Sequence, residues 1–255
     1  MQLTIRICGH TMTFAAPGDA GTIVYEPYHV KSGVSMSANL RQAFNESSLL
    51  AGGHRSVVVT TDAPVLLVPD EKFSADAAAG LYAYTFGDDS SREVLSTPLR
   101  QESAVAVYGV NRDLMTVLGD NFESVTIVPL MQAVWKHFHR RSFSAQHRRM
   151  FAYLNGKTLE LSLFRHNRFD FCNHFVTPDA PDALYYLLNA WRQTGLKHDT
   201  DELIVAGDSA LCQPLLDMAR EYLRNVTPVD AAEEFGEAHA ALTAGMPFDL
   251  QALLK

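Results

Sequence analysis

The sequence predicts a duplicated α/β protein. Each half of the chain shows three short apolar segments with strand character, joined by turn-type residue pairs, and then a helix, a buried strand and a further helix. The composition agrees, because 47% of the 255 residues are hydrophobic and 20% are charged, as in folded chains with a substantial core. We expect one half over residues 1–142 and the other over residues 148–255, with the boundary near Ser142–His147.

The first half opens with a predicted hairpin, because Leu3, Ile5 and Ile7 have the spacing of a strand and a Gly9–His10 turn follows them. The other predicted elements are strands over residues 22–26, 57–59, 104–108 and 125–128 and helices over residues 37–46, 111–118 and 130–138. We expect the strand over 22–26 to end at Pro27. Residues 64–99 form a predicted insertion, with a strand ending at Pro69, an alanine-rich helix over 75–84 and a polar turn over 87–92.

The second half repeats this order. Strands are predicted over residues 151–154, 159–164 and 169–175, joined by the turn pairs Asn155–Gly156 and His166–Asn167. A helix with Thr177 or Asp179 as its cap follows. The chain then shows a buried strand over 203–206, a Gly207–Asp208–Ser209 turn and a helix with apolar residues at helical spacing over 211–222.

Charge and cysteine content restrict the classes of function. The three cysteines, Cys8, Cys172 and Cys212, lack the spacing of a zinc site or a disulfide framework, so we expect a reducing, cytoplasmic location and small apolar roles for all three. No apolar run is long enough to span a bilayer, and the start of the chain does not resemble a signal peptide. A formal charge of −8 disfavours non-specific nucleic-acid binding by the whole molecule.

Two stretches resemble the actin-like ATPase superfamily. Residues 150–175, MFAYLNGKTLELSLFRHNRFDFCNHF, resemble the phosphate-loop meander of its pilus-assembly and cell-division members. Residues 202–223, ELIVAGDSALCQPLLDMAREYL, resemble the adenosine-binding strand, turn and helix. Residues 169–207, together with VLLVPDEKF over 65–73, are similar to an uncharacterised bacterial family with an actin-like ATPase fold. The resemblance implies two ribonuclease-H-like halves around a cleft, with mixed sheets flanked by helices.

The nucleotide-contact positions that the resemblance implies are Gly9, Gly156, Gly207 and Asp208, and the sequence departs from the superfamily at each loop. The aspartate expected near Gly156 falls on Leu154, which can neither hold magnesium nor orient water. The first hairpin offers no acid, and Asp208 replaces the second glycine of the adenosine turn. We therefore expect a protein without ATPase chemistry, with no catalytic residue, no metal and no cofactor, that serves as a binding or scaffold module.

Two alternatives for this region remain open. One is a nucleotide-binding ATPase that uses unorthodox acidic ligands such as Asp208, Asp170 or Glu160. The other treats residues 207–209 as an ordinary strand-to-helix turn in which Asp208 or Ser209 caps the following helix. No G-x-S-x-G, H-E-x-x-H, Walker-A or dinucleotide motif points to another enzyme class.

A basic band occupies residues 136–149, and residues 124–158 contain no acidic side chain. Its proposed contact residues are Lys136, Arg140, Arg141, Arg148 and Arg149. The band could bind RNA, an acidic protein or anionic lipid, or it could be a solvated helix end and interdomain connection.

Two other groups of polar residues are candidate sites. His137 and His139 are two residues apart, a spacing that does not make a metal pair on a helix. Asp182 and Tyr185 are either a contact site or, with Asp179 and Tyr186, a helix cap and packing residues. The sequence favours an unidentified protein as partner.

Overall fold

The computed structural model describes residues 2–9, 11–19, 22–144, 146–236 and 243–255. The chain divides into two compact units. Met1–Arg100, Ala104–Gln132 and Leu254 form the first unit, and Gln101–Ser103, Ala133–Leu253 and Lys255 form the second. The predicted boundary near Ser142–His147 stays a prediction, and Ala145 within it, like His10 of the predicted Gly9–His10 turn, lies outside the described residues.

The first unit contains a five-stranded mixed sheet. Its elements are β1 (Leu3–Cys8), β2 (Thr11–Pro17), β3 (Ile23–His29), α1 (Met36–Glu46), β4 (Ser56–Thr61), β5 (Val65–Pro69), α2 (Ala75–Phe86), β6 (Arg92–Leu99), β7 (Ala104–Asn111), α3 (Arg112–Asn121) and β8 (Ser124–Pro129). The sheet has the strand order β3-β2-β1-β4-β8. Because β1 runs parallel to β4, the two strands end at the same edge of the sheet.

Local residue chemistry sets the helix starts of this unit. Ser35 caps α1 by accepting a hydrogen bond from the Ala38 N–H, and Asn111 caps α3 by accepting one from the Leu114 N–H. The Asn111 cap confirms the sequence prediction. The expectation that the third strand ends at Pro27 is wrong, because β3 continues to His29. β3 lies at the edge of the sheet, where a proline costs no ladder hydrogen bond.

A second, three-stranded sheet was not predicted. Its strand order is β5-β7-β6. The helix α2 packs against this sheet, where Tyr82 contacts a cluster that includes Val68 and Val107. The sequence predicted β5, the helix and the segment that forms β7, but it missed β6, whose residues vary in exposure without clear alternation. A strand at the edge of a small sheet carries a weak periodicity signal, which explains the omission.

The second unit repeats the five-stranded arrangement. Its elements are α4 (Met131–Ser142), β9 (Arg149–Asn155), β10 (Thr158–Arg165), β11 (Arg168–Val176), α5 (Ala180–Gln193), β12 (Glu202–Gly207), α6 (Cys212–Ala219), β13 (Asn225–Pro228), α7 (Ala231–Phe235) and α8 (Phe248–Leu254). The order β11-β10-β9-β12-β13 matches that of the first unit strand for strand. The predicted duplicated α/β fold is therefore confirmed.

The core of the second unit lies between one face of its sheet and two helices. Alternate residues of β9 and β10, such as Leu154 and Leu161, pack against Leu187 and Trp191 of α5 and against Leu215 of α6. The period of two along the strands and of three to four along α5 places these side chains on facing surfaces. Asp179 caps α5 through the Asp182 N–H, as one of the two predicted cap residues.

The helix after the 207–209 turn is shorter than predicted. α6 ends at Ala219 rather than at Tyr222, because the Tyr222 N–H bonds the Ala219 carbonyl over three residues and tightens the last turn. Its cap position is Leu211, with no side-chain cap, so the expectation that Asp208 or Ser209 caps this helix is wrong. No helix among the described residues is long and apolar enough to cross a membrane.

Candidate functional site

The tip of the β1–β2 hairpin is held by a carboxylate of its own unit. The Gly9 N–H donates to Asp62 Oδ2 at 2.5 Å, and Gly9 has a φ of +53°. Asp62 directly follows β4, whose end lies beside that of β1. A backbone donor in the loop that the resemblance assigns to phosphate is therefore already paired with an anion. The sequence did not reveal Asp62, because its partner is distant along the chain.

The corresponding β9–β10 turn in the second unit has no acidic side chain in position. Leu154 is completely buried among Leu159, Leu215 and other apolar residues. The Gly156 carbonyl accepts a hydrogen bond from Ser209 Oγ at 2.7 Å, which ties this turn to the one that follows β12. An aliphatic core residue thus stands where the resemblance implies an aspartate.

Gly207 is required by the close approach of two strands. It lies opposite Leu154 in the parallel β12–β9 ladder and has a φ of +127°, in a region that side chains rarely adopt. A Cβ atom at this position would lie 2.1 Å from the Leu154 carbonyl oxygen. The close pairing of β12 with β9 therefore requires glycine at this position.

Asp208 faces the start of the last helix. Its Oδ2 accepts a hydrogen bond from the Phe248 N–H at 2.7 Å, and Phe248 is the first residue of α8. A carboxylate at a helix N-terminus is stabilised by the unpaired N–H groups and the helix dipole. Ser209 Oγ accepts a hydrogen bond from the Leu211 N–H at 3.1 Å. The side chains of Asp208 and Ser209 are thus both hydrogen-bonded, the first to the start of α8 and the second to Gly156 and Leu211.

The three unorthodox acidic residues do not converge. Asp170 pairs with Arg148 and Arg165 at 3.0 Å each, and Asp208 pairs with Phe248. Glu160 lies in the middle of β10, opposite Tyr153 and His174. Burial raises the pKa of Glu160 to about 8, so the neutral acid is its main form at pH 7. No group of three acidic, histidine or cysteine side chains in the described ranges is placed to hold a metal ion.

The basic band is largely paired. Arg148 forms its ion pair with Asp170, Arg149 pairs with Glu202 at 2.6 Å, and Arg141 pairs with Glu234. These three arginine side chains are only 18–34% exposed. Lys136 and Arg140 are exposed on α4. The five residues therefore do not form one uniformly solvated cationic surface.

The two histidines of the band are buried and point to different partners. His137 Nε2 lies 3.0 Å from Glu234 Oε1, and its Nδ1 lies 2.8 Å from Lys255 Nζ. Burial, reinforced by the positive charge of Lys255, lowers the pKa of His137 to about 3. His139 Nδ1 lies 3.7 Å from Glu102 Oε1. Both rings also pack against aromatic side chains.

The tyrosine pair of α5 divides into one packed and one exposed ring. Tyr186 stacks on Phe175 at 4.5 Å between centroids, whereas Tyr185 is 66% exposed. Asp179 serves as the helix cap. The three cysteines are partly buried thiols that form no disulfide, and burial raises the pKa of Cys172 and, to about 11, that of Cys212.

Comparison with solved structures identifies the class of fold. A Bacteroides thetaiotaomicron protein with an actin-like ATPase fold and unknown function superposes with a TM-score of 0.86 at 20% identity, over 99% of this chain and 95% of that one. The PilM–PilN type IV pilus biogenesis complex contains a chain that superposes with a TM-score of 0.60 at 15% identity, over 99% and 97%. The protein has the mixed α/β architecture of the actin-like ATPases.

The family follows from the sequence itself. Residues 1–226 match the family described as "Protein of unknown function (DUF3822)", and the chain belongs to that family. No curated protein matches the chain. The resemblance to an uncharacterised family with an actin-like fold is thereby confirmed.

Proposed function

We propose that this protein is a cytoplasmic binding or scaffold module with an actin-like fold that does not hydrolyse ATP. The observation that supports this most strongly is the state of the loops that the superfamily uses for nucleotide. Leu154 is buried at the expected aspartate position, the Gly9 N–H is bonded to Asp62, and Asp208 is bonded to the Phe248 N–H.

Hydrolysis requires what these loops lack. Phosphoryl transfer depends on a magnesium ion and an oriented nucleophile, and carboxylates at fixed positions supply both. A buried leucine supplies neither. A phosphate approaching Gly9 or Asp208 would also have to displace an existing hydrogen bond to a carboxylate or meet its negative charge.

A protein partner is the proposed ligand class. PilM, one of the structurally similar proteins, occurs in a complex with PilN. An actin-like fold therefore can serve protein assembly, and we extend that use to this chain. Ion pairs already occupy Arg141, Arg148 and Arg149, which supports a protein partner over an RNA held by the basic band.

The alternative, an ATPase that uses Asp208 as a ligand, makes an opposite prediction in a thermal unfolding experiment. Ligand at 100 times its Kd stabilises a fold by about 2.7 kcal/mol. For a chain of this size, that raises the Tm by about 5–10 °C. We expect about 1 mM Mg-ATP to raise the Tm of the wild type by less than about 1 °C.

Two variants make the test specific. Asp208→Ala removes the candidate ligand, and Asp217→Ala removes an exposed carboxylate on α6 as a matched control. A large Mg-ATP shift in the wild type and in Asp217→Ala, but not in Asp208→Ala, would replace our proposal with the ATPase alternative. Equal, negligible shifts in all three proteins are the expected result.

A further inference from the structure

An open groove lies at one end of the β10–β11 hairpin in the second unit. It has a volume of about 550 Å³ and is lined by Phe143 and by residues 165–170. Phe143 is 59% exposed, although its ring packs edge-on against the buried His139 at 4.8 Å. Phe169 packs against Trp135 at 5.7 Å. The groove thus has two aromatic walls that are anchored to the core beneath it.

The charge of the groove is opposite to that of the whole chain. Arg165 and Arg168 line it together with one carboxylate, Asp170. Asp170 is shared between Arg165 and Arg148, so the acid is matched by two guanidinium groups. Arg165 remains 62% exposed. In a chain of net charge −8, this local excess of positive charge favours an anionic group next to the aromatic walls.

The groove continues into a strand edge that pairs with no other strand in the described part of the chain. β11 is the outer strand of its sheet and contains neither proline nor lysine, two residues that commonly protect such edges. Its register shift lies over residues 169–171, so residues 172–176 form a regular edge. The Thr177 N–H bonds the Lys157 carbonyl on the β10 side, so the alternate positions 176, 174 and 172 direct their backbone groups to the other side. In agreement, the His174 N–H does not join the β10 ladder and donates instead to Asn173 Oδ1 at 2.9 Å.

We propose that the outer edge of β11 and the adjoining groove bind an extended segment of a protein partner that carries carboxylates beside a large apolar residue. The segment adds a strand to β11 through the backbone groups of Cys172 and His174. A carboxylate of the segment pairs with Arg165, whose side chain is 62% exposed, and the apolar side chain enters between Phe143 and Phe169. The inference rests on the proposed function, because it names the partner class of a protein-binding module.

The test uses two fluorescein-labelled synthetic peptides and the intact chain. The first peptide has alternating valine and threonine followed by phenylalanine and two glutamates. The second has lysines in place of the glutamates. We expect saturable binding of the acidic peptide in fluorescence anisotropy, and binding at least about tenfold weaker for the lysine peptide. Arg165→Glu should reverse this preference, while Arg220→Glu, on the exposed end of α6, should leave it unchanged.

A second measurement tests the strand edge directly. Amide hydrogen exchange at Cys172 and His174 should slow when the acidic peptide binds, since the added strand would bond the Cys172 N–H and would replace the local bond of the His174 N–H to Asn173 with a ladder bond. His174→Pro removes one outward N–H and should weaken binding without changing the Tm greatly. If that variant does not fold, the exchange data on the wild type still test whether the peptide binds along the β11 edge.

Three results would overturn the proposal. They are no saturable binding of either peptide, equal binding of both, and unchanged exchange at the β11 edge on binding. Sedimentation that reveals a dimer lost in His174→Pro would instead assign the edge to a second copy of this chain. None of these outcomes depends on nucleotide, so the failure of this inference is distinguishable from an Mg-ATP response that contradicts the proposed function.

Discussion

Glu160→Gln should stabilise the protein at alkaline pH and have little effect near pH 5. Glu160 lies in the interior of β10, in one cross-strand row with Tyr153 and His174. Glutamine keeps the shape of the side chain and its hydrogen-bonding capacity but cannot ionise. The substitution therefore isolates the cost of placing a charge on this face of the sheet.

The magnitude follows from the pKa of Glu160, which burial raises from 4.5 to about 8. Because the folded-state pKa is the higher one, the contribution to stability is fully present below pH 4.5 and is lost as the pH rises through about 8. Each pH unit in this window corresponds to at most about 1.4 kcal/mol. Because the Glu160 side chain is only partly shielded from solvent, we expect the full pH-dependent change in the free energy of unfolding to be about 2–3 kcal/mol.

Urea unfolding at about pH 5 and about pH 8.5 measures the effect. We expect the variant to exceed the wild type in free energy of unfolding by about 2 kcal/mol at the higher pH and by less than about 0.8 kcal/mol at the lower. Glu221→Gln, at an exposed position, is the control and should be neutral at both. A Glu160→Gln variant that is less stable than the wild type at pH 8.5 would refute the reasoning, because it would mean that the ionised carboxylate is well paired.

Three further substitutions test single contacts by urea unfolding. Gly207→Ala should lower the free energy of unfolding by about 3 kcal/mol or more, since its Cβ would meet the Leu154 carbonyl oxygen; a neutral result would show that the strands can separate there. Relative to His137→Gln, the wild type should lose about 1.5–2 kcal/mol of its free energy of unfolding between pH 6.5 and about 5, because the depressed pKa of His137 makes its contribution present above 6.5 and lost as the pH falls toward 3; an unchanged difference between the two proteins would contradict this. Arg149→Ala should lower the free energy of unfolding by about 2–3 kcal/mol, because it removes the ion pair of Glu202. A loss below about 0.5 kcal/mol would show that this pair contributes no more than an exposed surface ion pair.

Local signals were sufficient to predict most of the fold. The period-two apolar pattern predicted all three strands of each antiparallel meander, and the polar residues Asn111 and Asp179 marked two helix starts correctly. The strand β6 escaped prediction because it lies at the edge of a small sheet, where burial alternates weakly. The prediction that the third strand ends at Pro27 was wrong for a related reason, because a proline does not end a strand at the edge of a sheet.

The candidate site was less predictable because its contacts are non-local. Asp62 bonds Gly9 from 53 residues away, and Asp208 bonds Phe248 from 40 residues away. A sequence shows that a carboxylate exists but does not show which distant N–H group it meets. Arg149 illustrates the same limit, since the run of basic residues gave no indication of its pairing with Glu202.

The most direct test of the proposed function is equilibrium dialysis of the wild-type protein against radiolabelled Mg-ATP, with released phosphate measured in the same samples. With protein and nucleotide both at about 100 μM, a site with a Kd of about 10 μM would be mostly filled. We predict equal nucleotide concentrations on the two sides of the membrane and no phosphate above the buffer control. Retention of about one nucleotide per chain together with steady phosphate release would contradict the proposal that this protein does not hydrolyse ATP.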